Sequence, residues 1–465
     1  MPVYTKLFGV FVLIVVTTYY SLSFLNISKK WKATFSKSLL LIFSFLFYAY
    51  AGIQFLPFLV FISASTYILG VVISRHNSQR VFLGAAIFLL LPLVILKTMD
   101  WIDVPGAFLP LGCSFVSLQA FTYLYSVYKG ELPVADFLSV SLFVSFFPTV
   151  TSGPIVRAKK VIPQLQSYHE FDYGEFTDGM KLIAWGLLKK LVLADNMAKY
   201  ISNVNIETFE YGNVSGTALL LTSVLYSFQL YLDFSGYSDI VIGCAKMLGF
   251  KIDKNFDHPY LARTISDFWK GWHISLSSWL RDYIYFPLGG SRTKEILIYR
   301  NLMVVFIISG LWHGNGATFI VWGLLHGLFS CMDRFVRKRT AFNGSMILTF
   351  SAVTFAWIFF AASSVENALF VIKSFAKIPC EIQDFFGGTL NMQDMLLVPN
   401  DYNIMLLLVG LILFICISLI TRKKEGLLII NEMNTITRWI LYFAVILCVL
   451  FFASSDPVNF IYNRF

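Results

Sequence analysis

The 465-residue sequence is 57% hydrophobic and only 14% charged, with a mean hydropathy of +0.69, whereas a soluble domain carries roughly 25% charged residues. That excludes a soluble enzyme, a disordered chain and a collagen-like fibre, and points to an all-α polytopic membrane protein. Lys and Arg outnumber Asp and Glu by 36 to 27, a net charge of +9; in a membrane protein such an excess marks basic cytoplasmic loops, and no stretch has the pattern of a nucleic-acid module.

A membrane-crossing helix needs about 20 apolar residues. The first predicted span is Tyr4–Leu22, read as an uncleaved anchor because it lacks a small-residue cleavage site. Lys29, Lys30, Lys32 and Lys37 follow it, which predicts a cytoplasmic loop and an external N-terminus. The next predicted spans are Leu39–Ala51, Phe55–Ile73, Val81–Leu96 and Leu109–Tyr128, with Arg75 and Arg80 inside and Asp100 and Asp103 outside. Residues 137–150 are apolar but end in Phe146-Phe147-Pro148, with Gly153-Pro154 beyond, the pattern of a broken or re-entrant segment. Met180–Ile201 carries Lys181, Lys189, Lys190 and Lys199 among aliphatic residues and reads as an amphipathic interfacial helix. Ala218–Leu232 reads as a span, and residues 251–300 as a basic interfacial stretch interleaved with Trp269, Trp272 and Trp279.

Towards the end, Met346–Ala362 is predicted to run outward, residues 363–401 to be an external acidic segment, Ile404–Ile420 to return, and Trp439–Ala453 to exit. The C-terminus is then external as well. No internal repeat supports an inverted-repeat transporter. The six cysteines form no CxxC pair and read as small buried hydrophobes, so no structural metal is expected.

His313 stands apart from the other five histidines. It lies in Ile308-Ser309-Gly310-Leu311-Trp312-His313-Gly314-Asn315-Gly316, within an apolar stretch flanked by basic residues on both sides (Arg292, Lys294 and Arg300 before, Arg334 to Arg339 after). Residues 301–332 must therefore enter the membrane and return. Thirteen helical steps from Arg300 cover roughly 20 Å, so His313 would sit deep in a hydrocarbon core about 30 Å thick. An ionisable group at that depth is a functional candidate. The competing readings are a histidine that hydrogen-bonds between packed helices and a metal site with His326 and His273; the 13-residue separation of His313 and His326, on opposite arms, is not a metal-ligand spacing.

A set of ordered motifs then resembles the membrane-bound O-acyltransferase (MBOAT) family. They are Leu111-Gly112, Gly153-Pro154-Ile155, Asp233-Phe234-Ser235-Gly236-Tyr237, Asn255-Phe256, Asp267-Phe268-Trp269 with Trp272-His273-Ile274-Ser275, Trp279-Leu280-Arg281-Asp282-Tyr283, Pro287-Leu288-Gly289-Gly290-Ser291-Arg292, Leu311-Trp312-His313-Gly314, and Trp322-Gly323 with His326-Gly327. They place a motif-bearing catalytic core at 109–327 within a single domain, 1–465. The resemblance implies a multi-helix funnel with interfacial and re-entrant helices, with His313 as catalytic histidine and His273 as the second. Trp312, Asn315, Asp267, Trp269, Trp272, Arg281, Asp282 and Arg292 are taken as donor-binding or supporting residues. The Pro-Leu-Gly-Gly-Ser-Arg element resembles the alginate and peptidoglycan O-acetyltransferase branch, which favours acetyl over D-alanyl transfer.

A neutral imidazole suits acyl transfer from a thioester to a hydroxyl near pH 7. A basic cytoplasmic face suits an anionic donor, either acetyl-CoA or a phosphopantetheine carrier, as substrate and not as cofactor. The sequence ends Phe460-Ile461-Tyr462-Asn463-Arg464-Phe465, similar to a C-terminal motif of bacterial envelope acylation systems in which the tyrosine carries the acyl group; residues 460–465 are thus a candidate extracytoplasmic relay, against the plainer reading of an aromatic anchor. The expected location is a bacterial inner membrane, and the expected partner an extracytoplasmic SGNH-type acetyltransferase or esterase. A transporter of an envelope precursor, and an acyltransferase acting on lipid or protein, are the remaining alternatives.

Overall fold

The computed structural model describes residues 1–102, 104, 109–204, 214–397, 404–454, 458 and 460. Among these there are helices and no strands, and nine helices are long and apolar enough to cross a membrane. The protein is an all-α polytopic membrane protein. It divides into two compact units, Met1–Gly186 with Tyr237–Lys254, and Leu187–Gly236 with Asn255–Phe465.

The first unit holds α1 (Lys6–Ser21), α2 (Lys29–Ala51), α3 (Leu56–Arg75), α4 (Gln79–Trp101), α5 (Cys113–Tyr128), α6 (Phe137–Ser145), α7 (Ala158–Leu165) and α8 (Tyr173–Leu187). The predicted spans fall on helices, with shifted ends. Helix α2 begins ten residues before the expected Leu39, so the lysines assigned to a loop lie in its first turns. Lys37 is buried there and pairs with Asp136 at 3.0 Å, while Asp136 caps α6 by accepting from the Ser139 N–H at 3.0 Å. The expected break after residue 137 is present: α6 stops at Ser145, and residues 146–156 run on without helix, all buried. Irregular backbone in an apolar setting needs that cover. Gly112, at a φ of 72°, allows the approach, since a Cβ there would lie 2.3 Å from the Val150 carbonyl oxygen.

The second unit holds α9 (Asp195–Asn203), the larger part of α10 (Gly216–Met247), α11 (Ile265–Gly271), α12 (Ile274–Leu280), α13 (Glu295–His313), α14 (Ala317–Arg339), α15 (Met346–Ala361), α16 (Val365–Ser374), α17 (Ile378–Phe386), α18 (Met392–Leu396), α19 (Ile404–Thr421), α20 (Gly426–Glu432) and α21 (Thr435–Phe452).

Three expectations need correction. Met180–Ile201 is not one amphipathic surface helix: a π-helical segment, Leu188–Ala194, joins α8 to α9, and Lys189 and Lys190 are 4% and 1% exposed. Ala218–Leu232 is part of a helix of 32 residues that runs through Asp233 and Asp239; these carboxylates interrupt the apolar run in sequence but not the helix. Trp272 and Trp279 do not form an interfacial belt, for both are buried. Trp272 packs against Phe256, Tyr260, Phe268 and Trp357 with ring centroids 5.0–5.9 Å apart. The acidic segment after Ala362 also has a structural role, because Glu381 accepts from the backbone N–H groups of Gly216 and Thr217 at 2.7 and 2.9 Å and so caps α10.

The helical hairpin α13–α14 positions the candidate site. Gly310 and Gly323 bring its two arms together backbone to backbone. A Cβ on Gly310 would meet the Phe319 carbonyl oxygen at 2.4 Å, and one on Gly323 the Phe306 carbonyl oxygen at 2.4 Å. Asn301 on α13 is fully buried and donates to the Leu288 carbonyl at 3.0 Å, which ties the Pro287–Arg292 loop to the hairpin.

Candidate active site

His313 is the last residue of α13, 2% exposed, at the turn of the hairpin. Its Nδ1 lies 2.6 Å from the Ser309 carbonyl oxygen, one helical turn back. A carbonyl can only accept, so Nδ1 carries the proton, and Nε2 is the basic atom of the ring. The ring is held by edge-to-face contacts with Trp312, Trp322 and Phe360 at 4.8, 4.9 and 5.5 Å.

His273 arrives from a different element by the same logic. It is the N-cap of α12 at a φ of 41°, a left-handed conformation uncommon outside glycine. Asn255 holds it there: the Asn255 backbone carbonyl accepts from the Ile274 N–H at 2.8 Å, and its side-chain oxygen accepts from the Ser275 N–H at 3.1 Å. That second bond fixes the amide orientation, so the His273 Nδ1, 3.2 Å from the same oxygen, is the donor and Nε2 the basic atom. Burial holds the His273 imidazole well below its ordinary pKa, and nearby His313 pushes it the same way. The Trp312 ring faces both imidazoles, 4.8 Å from His313 and 6.2 Å from His273. The structure thus brings together two histidines 40 residues apart, each with its tautomer set by an oxygen acceptor and each with Nε2 as the basic atom.

The other expected residues divide by position. Asn315 is half-buried in the turn beside His313, and Trp269 packs on Phe306, Trp322 and His326 at 4.9–5.9 Å. Asp267 serves its own helix: its N–H donates to the Thr264 hydroxyl at 3.0 Å, and its carboxylate accepts from that hydroxyl and from Lys270. Arg281 pairs with Asp282 at 2.9 Å in an exposed position, and Arg292 is exposed. Tyr462 lies outside the described residues. No group of three or more His, Cys, Asp or Glu able to hold a metal occurs among the described residues.

Two features escaped the sequence reading. Asn255 appeared only as a motif fragment, though an Asn 18 residues before a histidine carries no local signal. A buried cluster of Lys190, Asp195 and Asp233 was also missed; its only signal is two lysines in an aliphatic run and an aspartate in an apolar helix. Burial pushes the Asp195 carboxyl up to about 6 against the pull of Lys190.

The profile of the membrane-bound O-acyltransferase family matches residues 114–372. The chain is 31% identical to a peptidoglycan O-acetyltransferase of Helicobacter pylori over 93% of its own length and 92% of that protein's. It is 32% identical to a probable alginate O-acetylase of Pseudomonas fluorescens over 71% of its length and 68% of that protein's. A teichoic acid D-alanyltransferase of Bacillus subtilis is 27% identical over 63% of the chain and 80% of the relative. The chain belongs to the membrane-bound O-acyltransferase family and is an O-acyltransferase.

Proposed function

We propose that this enzyme moves an acetyl group from a cytoplasmic thioester donor, acetyl-CoA or an acyl-carrier thioester, across the membrane toward hydroxyls of a cell-envelope polysaccharide. The observation that carries this reading is the pair of buried imidazoles whose Nδ1 atoms are committed to oxygen acceptors. His313 Nε2 removes the proton of the attacking hydroxyl, the oxygen forms the ester bond to the acyl carbon, and the thiolate leaves and recovers the proton. Higher identity to the peptidoglycan and alginate relatives than to the D-alanyl one supports acetyl as the group and polysaccharide as the acceptor class.

In this reading Tyr462 is the first acceptor. A phenol has a pKa of about 10, well below a sugar hydroxyl, so its ester lies between thioester and alkyl ester and both transfers run downhill. An extracytoplasmic SGNH-type partner would take the acetyl group from there. Both termini are placed outside a bacterial inner membrane, Arg281 and Arg292 face the donor side, and residues 109–327 form the catalytic core. The test is incubation with labelled acetyl-CoA and mass spectrometry of the C-terminal peptide. An acetyl mass on Tyr462, lost in His313→Ala, is expected; full acceptor acetylation by Tyr462→Phe rejects the relay and leaves direct transfer at His313. D-alanyl transfer is the alternative, and label from a D-alanyl carrier but not from acetyl-CoA would select it.

A further inference from the structure

Lys190 is 1% exposed, in a stretch whose sequence pattern is that of an interfacial helix. Three oxygens surround its ammonium at 2.8 Å: Asp195 Oδ1 and Asp233 Oδ1 as ion-pair partners, and the Val458 carbonyl oxygen, which accepts a hydrogen bond from it. The first two explain how the charge is tolerated. The third is a backbone group 268 residues away, in the segment that leads to the end of the sequence.

The local helix is shaped for this. In an α-helix, residues five apart point about 140° away from each other. The Leu188–Ala194 segment is π-helical, with the Asp195 N–H bonded to the Lys190 carbonyl, so the wider turn stacks residue 195 over residue 190. Such bulges are frequent at functional sites. The buried ion cluster thus reaches through Lys190 to the backbone carbonyl of a single residue of the tail.

Contacts on either side extend the hold. Asn196 donates to the Phe452 carbonyl at 3.0 Å, and the Ser454 N–H donates to the Leu191 carbonyl at 3.0 Å. Phe460 is 2% exposed and packs on Phe234 at 5.7 Å, and Phe234 stands edge-on to His273 at 4.7 Å. Helix α10 therefore presents two neighbours in sequence to the tail: Asp233 to its anchor, and Phe234 between Phe460 and an active-site histidine.

We propose that Lys190, with Asp195 and Asp233, is a positioning site for the C-terminal tail, fixing Val458 so that Tyr462 is delivered to the histidine pair. The functional half rests on the relay reading above; the anchoring half does not. Tail docking by buried charge, rather than by apolar contact alone, fixes register: a slide by one residue would carry the Val458 carbonyl away and strip a buried ammonium of that acceptor, which costs the full desolvation of that N–H.

The test uses the full chain in detergent. Carboxypeptidase digestion followed by intact mass measurement reads the anchor. Wild-type trimming should stop near Phe460, and in Lys190→Met it should run past Val458 toward Ala453. Phe460→Ala, which leaves the ion cluster intact, should also trim deeper and covers the case in which Lys190→Met does not fold. The same end point in wild type and variants overturns the proposal. The functional reading is the acetyl-transfer rate: Lys190→Met should lower kcat about a hundredfold, as misplacement of a reacting group does, at unchanged donor KM. If Tyr462→Phe is fully active, the relay has failed and the trimming result alone decides the anchor. If Tyr462→Phe is inactive while Lys190→Met keeps the wild-type rate, the positioning role is overturned.

Discussion

His313 and Lys190 are both polar groups set in apolar sequence, and the fold treats them in opposite ways. His313 is buried among aromatic rings with its Nδ1 committed to a carbonyl oxygen, which leaves Nε2 as the basic atom of the ring. Lys190 is buried among two carboxylates and a carbonyl, an arrangement that pairs its charge. The first arrangement suits a proton acceptor. The second suits an anchor, because the charge is paired and the ammonium also holds the Val458 carbonyl.

The largest expected effect on this contrast comes from His313→Ala, which removes the proposed base: acetyl transfer should fall by about 10²–10⁴-fold with an unchanged size-exclusion profile, and wild-type transfer in that variant would reject the assignment. Gly310→Ala should act on the same base through the backbone. Its Cβ would lie 2.4 Å from the Phe319 carbonyl oxygen, so the hairpin arms must part, at about 1–3 kcal/mol in stability; a melting curve and a transfer assay together read the loss, and Gly323→Ala should match it.

Asn255→Ala sharpens the comparison from the side of His273. It removes the acceptor that sets the His273 tautomer and one bond that holds its left-handed backbone, and the transfer rate should fall about tenfold or more, in line with outer partners that orient catalytic histidines. The pH response has a definite sign. The His273 pKa in the folded protein is depressed, while in the unfolded chain it lies near about 6.5. Its contribution to stability is then present above about pH 6.5 and is lost as pH falls below it, because the unfolded chain binds the extra proton. Thermal unfolding from about pH 7.5 to about pH 5.5 should record that decline, with a shallower slope in His273→Gln. The smallest effect should come from Arg292→Glu: an exposed charge acts on an anionic donor through solvent, so donor KM should rise modestly at low salt and the rise should fade at high salt. Arg281→Glu mixes this with loss of the Asp282 pair and is the less direct measure.

Much of the fold was legible in the sequence because it is written in local periodicity. Apolar length placed the spans, and basic flanks placed a hairpin over 301–332, within which the turn falls directly after His313. The glycines of Ser309-Gly310-Leu311 and Trp322-Gly323-Leu324 were visible as motif, but their mutual packing was not, since each lies on a different arm.

The sequence by itself determined a polytopic helical protein with an ionisable group at the turn of an apolar hairpin, because hydropathy and helix length are properties of consecutive residues. Only the tertiary structure decided what each polar group is for. Hydropathy registers a lysine at 190 as a charge to be kept at the surface, yet Asp195, Asp233 and Val458 take it inside. Likewise the role of Asn255 becomes visible only where the chain returns to set the His273 ring. The cost of burying a charge or an imidazole depends on its partners, and partners 18 or 268 residues away leave no mark on the sequence around it.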